Sequence, residues 1–535
     1  MWLPEYGDCV IAEFSASEKV TAIKFMNGYQ ENQEFSIECS ADGQTWRYIG
    51  EHKATNIYRW DMYSVNFTCR YIRVQSQSEY LGIMEMYFLD RDRVVTLITN
   101  PSPLFDEQNL YIENPSFMHQ AYSDEFLYAE AAFQLLHTAY HVPGKEINKT
   151  MTPVNPSEFE WTHPPLGKEI IAAGEWLFGT TPFGWRFSGA IMGILMLPLI
   201  YLMAKKMFGG IWWPIFATLL LSSEFMHFTQ TRFGTIDSYT VLFIIFIYFF
   251  MFFFYMDDPD KTSVKKLWLL LFISGVFLGL GASVKWESLY AAPGILIMFF
   301  STWRKQNRLV MTTVVMCFLF FIIIPFSIYS LTYIPFLKLT NDGFVGLMKN
   351  QFEMYWYHTN IGEIPDFGSR WWQWIYNVKP LLYYSTESGG INQSILMLGN
   401  PLITIAGFLA VVLLIIDCIY GLFLYDESKA QRRKISFFLA VAYLSQLLPW
   451  ILVKRTTFLY HYFPNIPFLI LALVHVFKNY LYREKPISIV FAVAAILMFI
   501  IFYPFISGYP YSSGYEMFLS PILRLISFNH FPASG

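Results

Sequence analysis

The sequence predicts an α-helical polytopic membrane protein with an N-terminal β-sandwich-like region. The 535 residues are 54% hydrophobic and 19% aromatic but only 15% charged, whereas a soluble domain is about one-quarter charged. The apolar residues come in long runs, which satisfy their backbone in lipid only as helices. Most of the strand-like alternation of polar and apolar residues falls in residues 1–95. The net charge of −4 argues against nucleic acid as the main partner.

In the first 95 residues, "FSIECS", "ADGQTW" and "RYIRVQ" follow one another, and Asp42-Gly43 between two alternating runs signals a hairpin. Five cysteines are too few for a disulfide scaffold. Cys9, Cys39 and Cys69 lie in this polar region, where one bridge is possible; Cys317 and Cys418 lie in apolar runs and face lipid or core. No signal peptide is visible at Met1. Residues 96–186 are polar, with a helical pattern after Asp124 and a second over 166–178.

Ten hydrophobic spans follow: 187–204, 211–230, 238–255, 267–284, 289–303, 309–333, 402–424, 435–452, 460–477 and 487–508. They fall in two blocks, 187–333 and 402–508, separated by a long loop at 334–401 and followed by a tail at 509–535. If the first span runs outside to inside, the inner loops carry Lys205, Lys206; Lys261, Lys265, Lys266; Arg304, Lys305, Arg308; Lys429, Arg432, Arg433, Lys434; and Lys478, Arg483, Lys485. The short outer connections carry only Arg232, Lys285, Lys454 and Arg455. This asymmetry places the N-terminal region, the long loop and the tail outside the cytoplasm. The polar clusters all fall on that outer side: "YSDEF", "WTHPPLGK", "FGWRFSG", "HFTQTRFGTIDSY", "VKWESLY", "WYHTN" and "KRTTFLYHYFP". Their convergence on one face suggests a single site at the outer membrane boundary.

Two resemblances follow from these stretches. The order strand, "ADGQTW", strand, "RYIRV" resembles the C-terminal half of a discoidin-type (galactose-binding-like) β-sandwich, alongside the plainer reading of a small β-domain of no particular kind. The acidic pair opening a helix, "WTHPPLGKEII", "PFGWRFSGA", "QTRFGTIDSY" and "PWILVKRTTFLYHYFP" resemble the protein O-mannosyltransferases, over about residues 104–508. That resemblance implies the GT-C glycosyltransferase fold and an inverting transfer of mannose from a polyprenyl-phosphate donor to Ser or Thr hydroxyls of exported proteins. Relatives carry a membrane span ahead of the acidic pair, so the resemblance also suggests an N-terminus missing from this chain.

The resemblance further implies Asp124 as the base for the acceptor hydroxyl, where a carboxylate within reach of the proton is needed; Glu125 orients it or binds sugar. The same pair also reads as ordinary helix N-terminal charge, and Asp106-Glu107 is a rival pair in a loop. Pro164 and Pro165 forbid helix before them and permit it after, so 166–178 reads as an interfacial helix. In that turn His163 and Lys168 can face the donor phosphate, although a Lys at a membrane edge also snorkels. Arg186 is the phosphate ligand that the resemblance implies, with Arg232 and Arg455 as further candidates. Asp237 heads a span and needs a cationic partner, and Lys285 and Glu287 can join its network. His358 and His461 touch donor or acceptor, or simply pack among aromatics. Trp371, Trp372 and Trp374 suit an interface belt or a sugar-stacking surface.

His137 and His141 sit four apart but lack a third ligand, so no metal and no cofactor is expected. Asp417 inside a span is a weak sign of an ion path. Ser123 stands where relatives commonly have Phe, Glu130 where many have a basic residue, and "IPDFGSRWW" where they have a His-Pro-Phe element. These departures leave acceptor and sugar identity open. Two other readings are a GT-C enzyme that moves another sugar to a lipid or cell-wall polymer, and a transporter or carbohydrate-binding membrane receptor. The spans show no inverted repeat of the transporter kind.

Overall fold

A computed structural model describes all residues except 1, 3, 29–31, 79–80, 99–102, 106–107, 109–110, 114, 141–158, 258–261, 304–309, 341–342, 361–367, 389, 424–425 and 527–535. Asp106, Glu107 and His141, and the inner-loop cations Lys261, Arg304, Lys305 and Arg308, lie outside the described residues. The chain divides into two compact units, Met1–Phe159 with Phe178–Phe183, and Glu160–Leu177 with Gly184–Gly535.

The first unit is built on six antiparallel strands, β1 (Cys9–Asn27), β2 (Gln33–Ser40), β3 (Arg47–Ala54), β4 (Trp60–Ser76), β5 (Ile83–Asp90) and β6 (Arg93–Val94), in the order β3-β2-β4-β1-β5-β6. Alternation puts Phe14, Ile23, Phe25, Phe35, Ile37, Ile72, Val74 and Phe88 in one apolar core. The β2–β3 hairpin turns at Asp42, whose carboxylate accepts from the Gln44 and Thr45 amides at 2.9 and 2.8 Å, while Gly43 takes φ +77°. The unit's three cysteines are free thiols, Cys39 and Cys69 buried and Cys9 exposed. Helix α1 (Glu125–Gln134) follows the strands and continues into a π turn, Leu135–Ala139.

The second unit is helical: α2 (Leu166–Phe178), α3 (Pro182–Phe208), α4 (Trp212–Ser222), α5 (Phe225–Thr231), α6 (Asp237–Met256), α7 (Val264–Val284), α8 (Ala291–Trp303), α9 (Val310–Phe318), α10 (Ile324–Thr332), α11 (Ile334–Thr340), α12 (Gly343–Asn360), α13 (Trp371–Trp374), α14 (Pro401–Phe423), α15 (Ala430–Leu447), α16 (Ile466–Tyr480), α17 (Glu484–Ser507) and α18 (Ser513–Ile526). A small sheet, β7 (Leu381–Ser388), β8 (Ile391–Met397) and β9 (Tyr511–Ser512), lies within the same unit. Among the described residues eight helices are long and apolar enough to cross a membrane, so the chain is a multi-pass membrane protein.

Among the described residues the ten expected spans fall in helical segments, but two of them are not single helices of spanning length. The expected span 211–230 is two helices, because Glu224 interrupts it: its carboxylate caps α5 by accepting from the His227 amide at 2.8 Å and accepts from the Asn400 amide at 2.9 Å. The expected span 289–303 is the 13-residue α8, preceded by a 3₁₀ turn, Trp286–Tyr290. The segment read as a long loop holds α11, α12, α13 and the β7–β8 hairpin.

Candidate active site

The site begins with a turn that cannot hold itself together. Pro164 and Pro165 lack amide hydrogens, so helix α2 starts only at Leu166. The preceding residues are organised by Glu160, which sequence reasoning did not single out. Its Oε1 accepts from the Thr162 amide at 2.9 Å and from the Thr162 hydroxyl, and lies 3.5 Å from His163 Nδ1. Its Oε2 pairs with Lys168 Nζ at 2.6 Å. Lys168 is wholly buried and also donates to the carbonyls of Glu160 and His163, the latter at 2.7 Å. It therefore does not snorkel. Burial alone would raise the Glu160 carboxyl, but Lys168 and His163 outweigh it and hold the group well below the usual carboxylate range. Burial pushes the His163 imidazole down, Glu160 opposes this, and Lys285 and Lys168 add to it. Gly167 packs tightly here: a Cβ on it would stand 2.6 Å from Ile236 Cγ2.

Helix α12 clamps the same turn. Asn350 Nδ2 donates to the Trp161 carbonyl at 3.1 Å, and His358 Nε2 lies 2.8 Å from the Thr162 carbonyl. A carbonyl only accepts, so His358 carries its proton on Nε2. Burial, with His163 and Arg455 adding to it, pushes His358 down to about 3.

A second charged group forms where α6 begins and α7 ends. Lys285 Nζ lies 2.8 Å from Asp237 Oδ1 and 3.4 Å from Glu287 Oε2. Burial would lower the Lys285 ammonium, but Asp237 and Glu287 more than reverse this, and its net shift is upward. Burial raises the Glu287 carboxyl to about 7; Lys285 opposes the shift and Asp237 adds to it. Glu287 Oε1 is buried and has no hydrogen-bond partner among the described residues.

The two groups border one cavity of about 360 Å³, within the range of small-molecule sites. Its walls are Thr162, His163 and Pro164; Lys285, Trp286, Glu287 and Tyr290; Met354, Tyr355, His358 and Thr359; and Trp450 with Leu452, Val453, Lys454 and Arg455. The structure thus brings His163, Lys285, Glu287, His358 and Arg455 together, with Asp237 directly behind Lys285. Lys168, Arg186, Arg232 and His461 are not among the lining residues. The reasons are local. Lys168 is bound to Glu160. Arg186 is buried in α3. Arg232 donates to the Ser507 carbonyl at 2.6 Å and lies over the Phe228 ring. His461 stacks on Trp374, with ring centroids 5.9 Å apart, and meets Trp450 edge-on at 4.5 Å.

In the first unit, Asp124 is the exposed N-cap of α1 and follows Ser123, whose φ is +55°. Glu125 is fully buried and accepts from the Tyr122 amide at 3.3 Å. Glu130 is buried and accepts from Gln134 at 3.2 Å. His137 packs on Phe133. Among the described residues no three His, Cys, Asp or Glu side chains group as metal ligands. Asp417 pairs with Arg432 at 3.0 Å and accepts from Ser436 at 3.0 Å, near the Lys/Arg-rich end of α15.

Comparison with known proteins matches two adjoining family models. "Dolichyl-phosphate-mannose-protein mannosyltransferase" covers residues 161–341, and "C-terminal four TMM region of protein-O-mannosyltransferase" covers residues 344–520. Together they take in the whole cavity, while Asp124 lies ahead of them. A polyprenol-phosphate-mannose–protein mannosyltransferase of Mycolicibacterium smegmatis is 25% identical over 459 aligned residues, covering 72% of this chain and 84% of that protein. The like-named protein of Corynebacterium glutamicum is 25% identical over 381, covering 60% and 71%. Among solved structures, the S. cerevisiae protein O-mannosyltransferase Pmt1-Pmt2 complex bound to the sugar donor aligns with a TM-score of 0.62 at 14% identity, covering 75% of this chain and 88% of that one. The fold is therefore of the GT-C kind.

Proposed function

Because this chain belongs to the protein O-mannosyltransferase family, we propose that it transfers mannose from a polyprenyl-phosphate donor to Ser or Thr hydroxyls of exported proteins, at the extracytoplasmic face of the membrane. The observation that carries the reading is the cavity itself. It presents Lys285, Lys454 and Arg455 beside His163 and His358, within the matched region. Such a set suits a phosphate that gains charge as the sugar departs, and these cations can offset that charge without a metal ion. The face is supported by connectivity. The turn before α2, the α7–α8 and α15–α16 connections and α12 all lie at the ends of spans opposite the Lys/Arg-rich loops.

In this reaction Asp124 takes the acceptor proton and Glu125 fixes the start of α1. The acceptor oxygen attacks the anomeric carbon from the face opposite the phosphate, so the configuration inverts. Arg455 and Lys285 hold the phosphate; Asp237 keeps Lys285 charged and in place. The test is transfer of labelled mannose from purified polyprenyl-phosphate-mannose to an acceptor peptide. Transfer by the wild type, lost in Asp124→Asn with donor binding retained, is the expected result. Label appearing in lipid or polymer instead of peptide would replace the acceptor assignment.

A further inference from the structure

The cavity holds one buried acid for which the reaction above has no use. Lys285 is shared between two carboxylates and lies closer to Asp237, at 2.8 Å, than to Glu287, at 3.4 Å. One ammonium cannot neutralise both acids fully, so the more distant one retains a proton more readily. Glu287 is 6% exposed, lines the cavity, and its Oε1 has no partner among the described residues. A buried carboxyl oxygen without a partner is a group waiting for one. The charged and titratable groups facing it are Lys285 beside it in sequence, Asp237 from the head of α6, Arg455 from the connection after α15, and Tyr290 one turn on, while His163, His358 and Lys454 line the same cavity.

We propose that Glu287 is the proton donor to the departing phosphate: its protonated carboxyl hydrogen-bonds a phosphate oxygen of the bound donor and passes the proton over as the sugar–phosphate bond breaks. This rests on the transfer reaction proposed above. The bond between the anomeric carbon and the phosphate oxygen breaks, and its electron pair stays on that oxygen. The bond from the acceptor oxygen to the anomeric carbon forms, and the acceptor proton goes to Asp124. The Glu287 proton goes to the phosphate, leaving a carboxylate beside Lys285 that is reprotonated from water once the lipid phosphate leaves. The other cavity groups suit this step less well. His358, pushed down to about 3, carries no second proton at neutral pH; Tyr290, pushed up to about 12, and Lys285, shifted upward, hold theirs too firmly. Glu287 at about 7 is matched to transfer at neutral pH. An ionised carboxylate in this wall would repel the donor phosphate, whereas the neutral acid binds it.

The experiment measures kcat/KM for polyprenyl-phosphate-mannose, at saturating peptide, from pH 5.5 to 9. In the wild type it is expected to fall above about pH 7 with a slope approaching tenfold per unit. Glu287→Gln keeps a hydrogen-bond donor but has no proton to give; it should be about 10–100-fold slower and should lose that alkaline limb. A Gln variant with wild-type rates, or with the limb intact, overturns the proposal. A parallel measurement needs no variant: donor affinity of the wild type, without peptide, should weaken from pH 6 to 8.5, and an unchanged affinity overturns the proposal. A wild type that transfers no mannose to peptide at any pH would instead overturn the transfer reaction, a different outcome from either.

Discussion

Lys168→Met should destabilise the protein by about 3–5 kcal/mol, the usual cost of removing one partner of a buried ion pair. Lys168 is fully buried and its Nζ sits 2.6 Å from Glu160 Oε2. Without it the Glu160 carboxylate keeps, among the described residues, the Thr162 amide and hydroxyl and nearby His163. The carbonyls of Glu160 and His163 lose a charged donor as well. The lost stability corresponds to more than a hundredfold change in the unfolding equilibrium, readable by denaturant titration in detergent. The double variant Glu160→Gln, Lys168→Met should be more stable than Lys168→Met alone, because the uncompensated charge is gone while a side-chain oxygen still faces Thr162. The pH sign follows from Glu160. Its folded value lies below the unfolded one, so its contribution is complete above about pH 4.3 and fades only as pH falls through the lower folded value. A Lys168→Met protein of wild-type stability but weakened donor affinity would refute this reasoning and return Lys168 to the donor phosphate.

Two further substitutions probe the packing behind the cavity wall. Asp237→Asn removes a negative charge that raises the Glu287 carboxyl, so Lys285 then serves Glu287 alone; the alkaline limb of kcat/KM should move to lower pH, and a limb that stays or rises would break the link. Gly167→Ala places a methyl 2.6 Å from Ile236 Cγ2 and 3.2 Å from Val284 Cγ1; the crowding should lower stability by about 1–3 kcal/mol in the same denaturant titration, and an unchanged midpoint would contradict the packing.

Hydropathy makes the spans legible because lipid imposes one rule on every backbone group. It misses Glu224, since averaging over apolar neighbours hides a single cap; "SSEFMHF" nevertheless carries Ser and Glu where a helix restarts. That Asp237 needs a cation is legible from its place at the head of a span. Which cation is not: Lys285 lies 48 residues away, and only the packing of α6 on α7 chooses it. Glu160 gives no local sign at all, because a Glu ahead of a turn reads as solvated until Lys168 is known to be buried. The role of α12 does leave a trace. Asn350, Met354 and His358 recur at helical spacing on one face, while Phe352 and Trp356 are exposed on the other. A polar pair kept in register along an aromatic helix has a partner to reach.

The two prolines explain why that partner is a backbone. Segments usually meet their carbonyls with amides from the same helix or sheet, but Pro164 and Pro165 remove two amides and delay α2 to Leu166. The carbonyls of Trp161, Thr162 and His163 are each met by a side chain instead: Asn350, His358 and Lys168 in turn. Two of those donors come from α12 and the third from α2, so the wall carrying His163 is fixed by helices on both sides of it. His358 serves the wall twice, holding the Thr162 carbonyl and lining the cavity itself. A displacement of α12 therefore cannot leave the cavity unchanged: it withdraws two donors from the turn and moves Met354, Tyr355, His358 and Thr359 together.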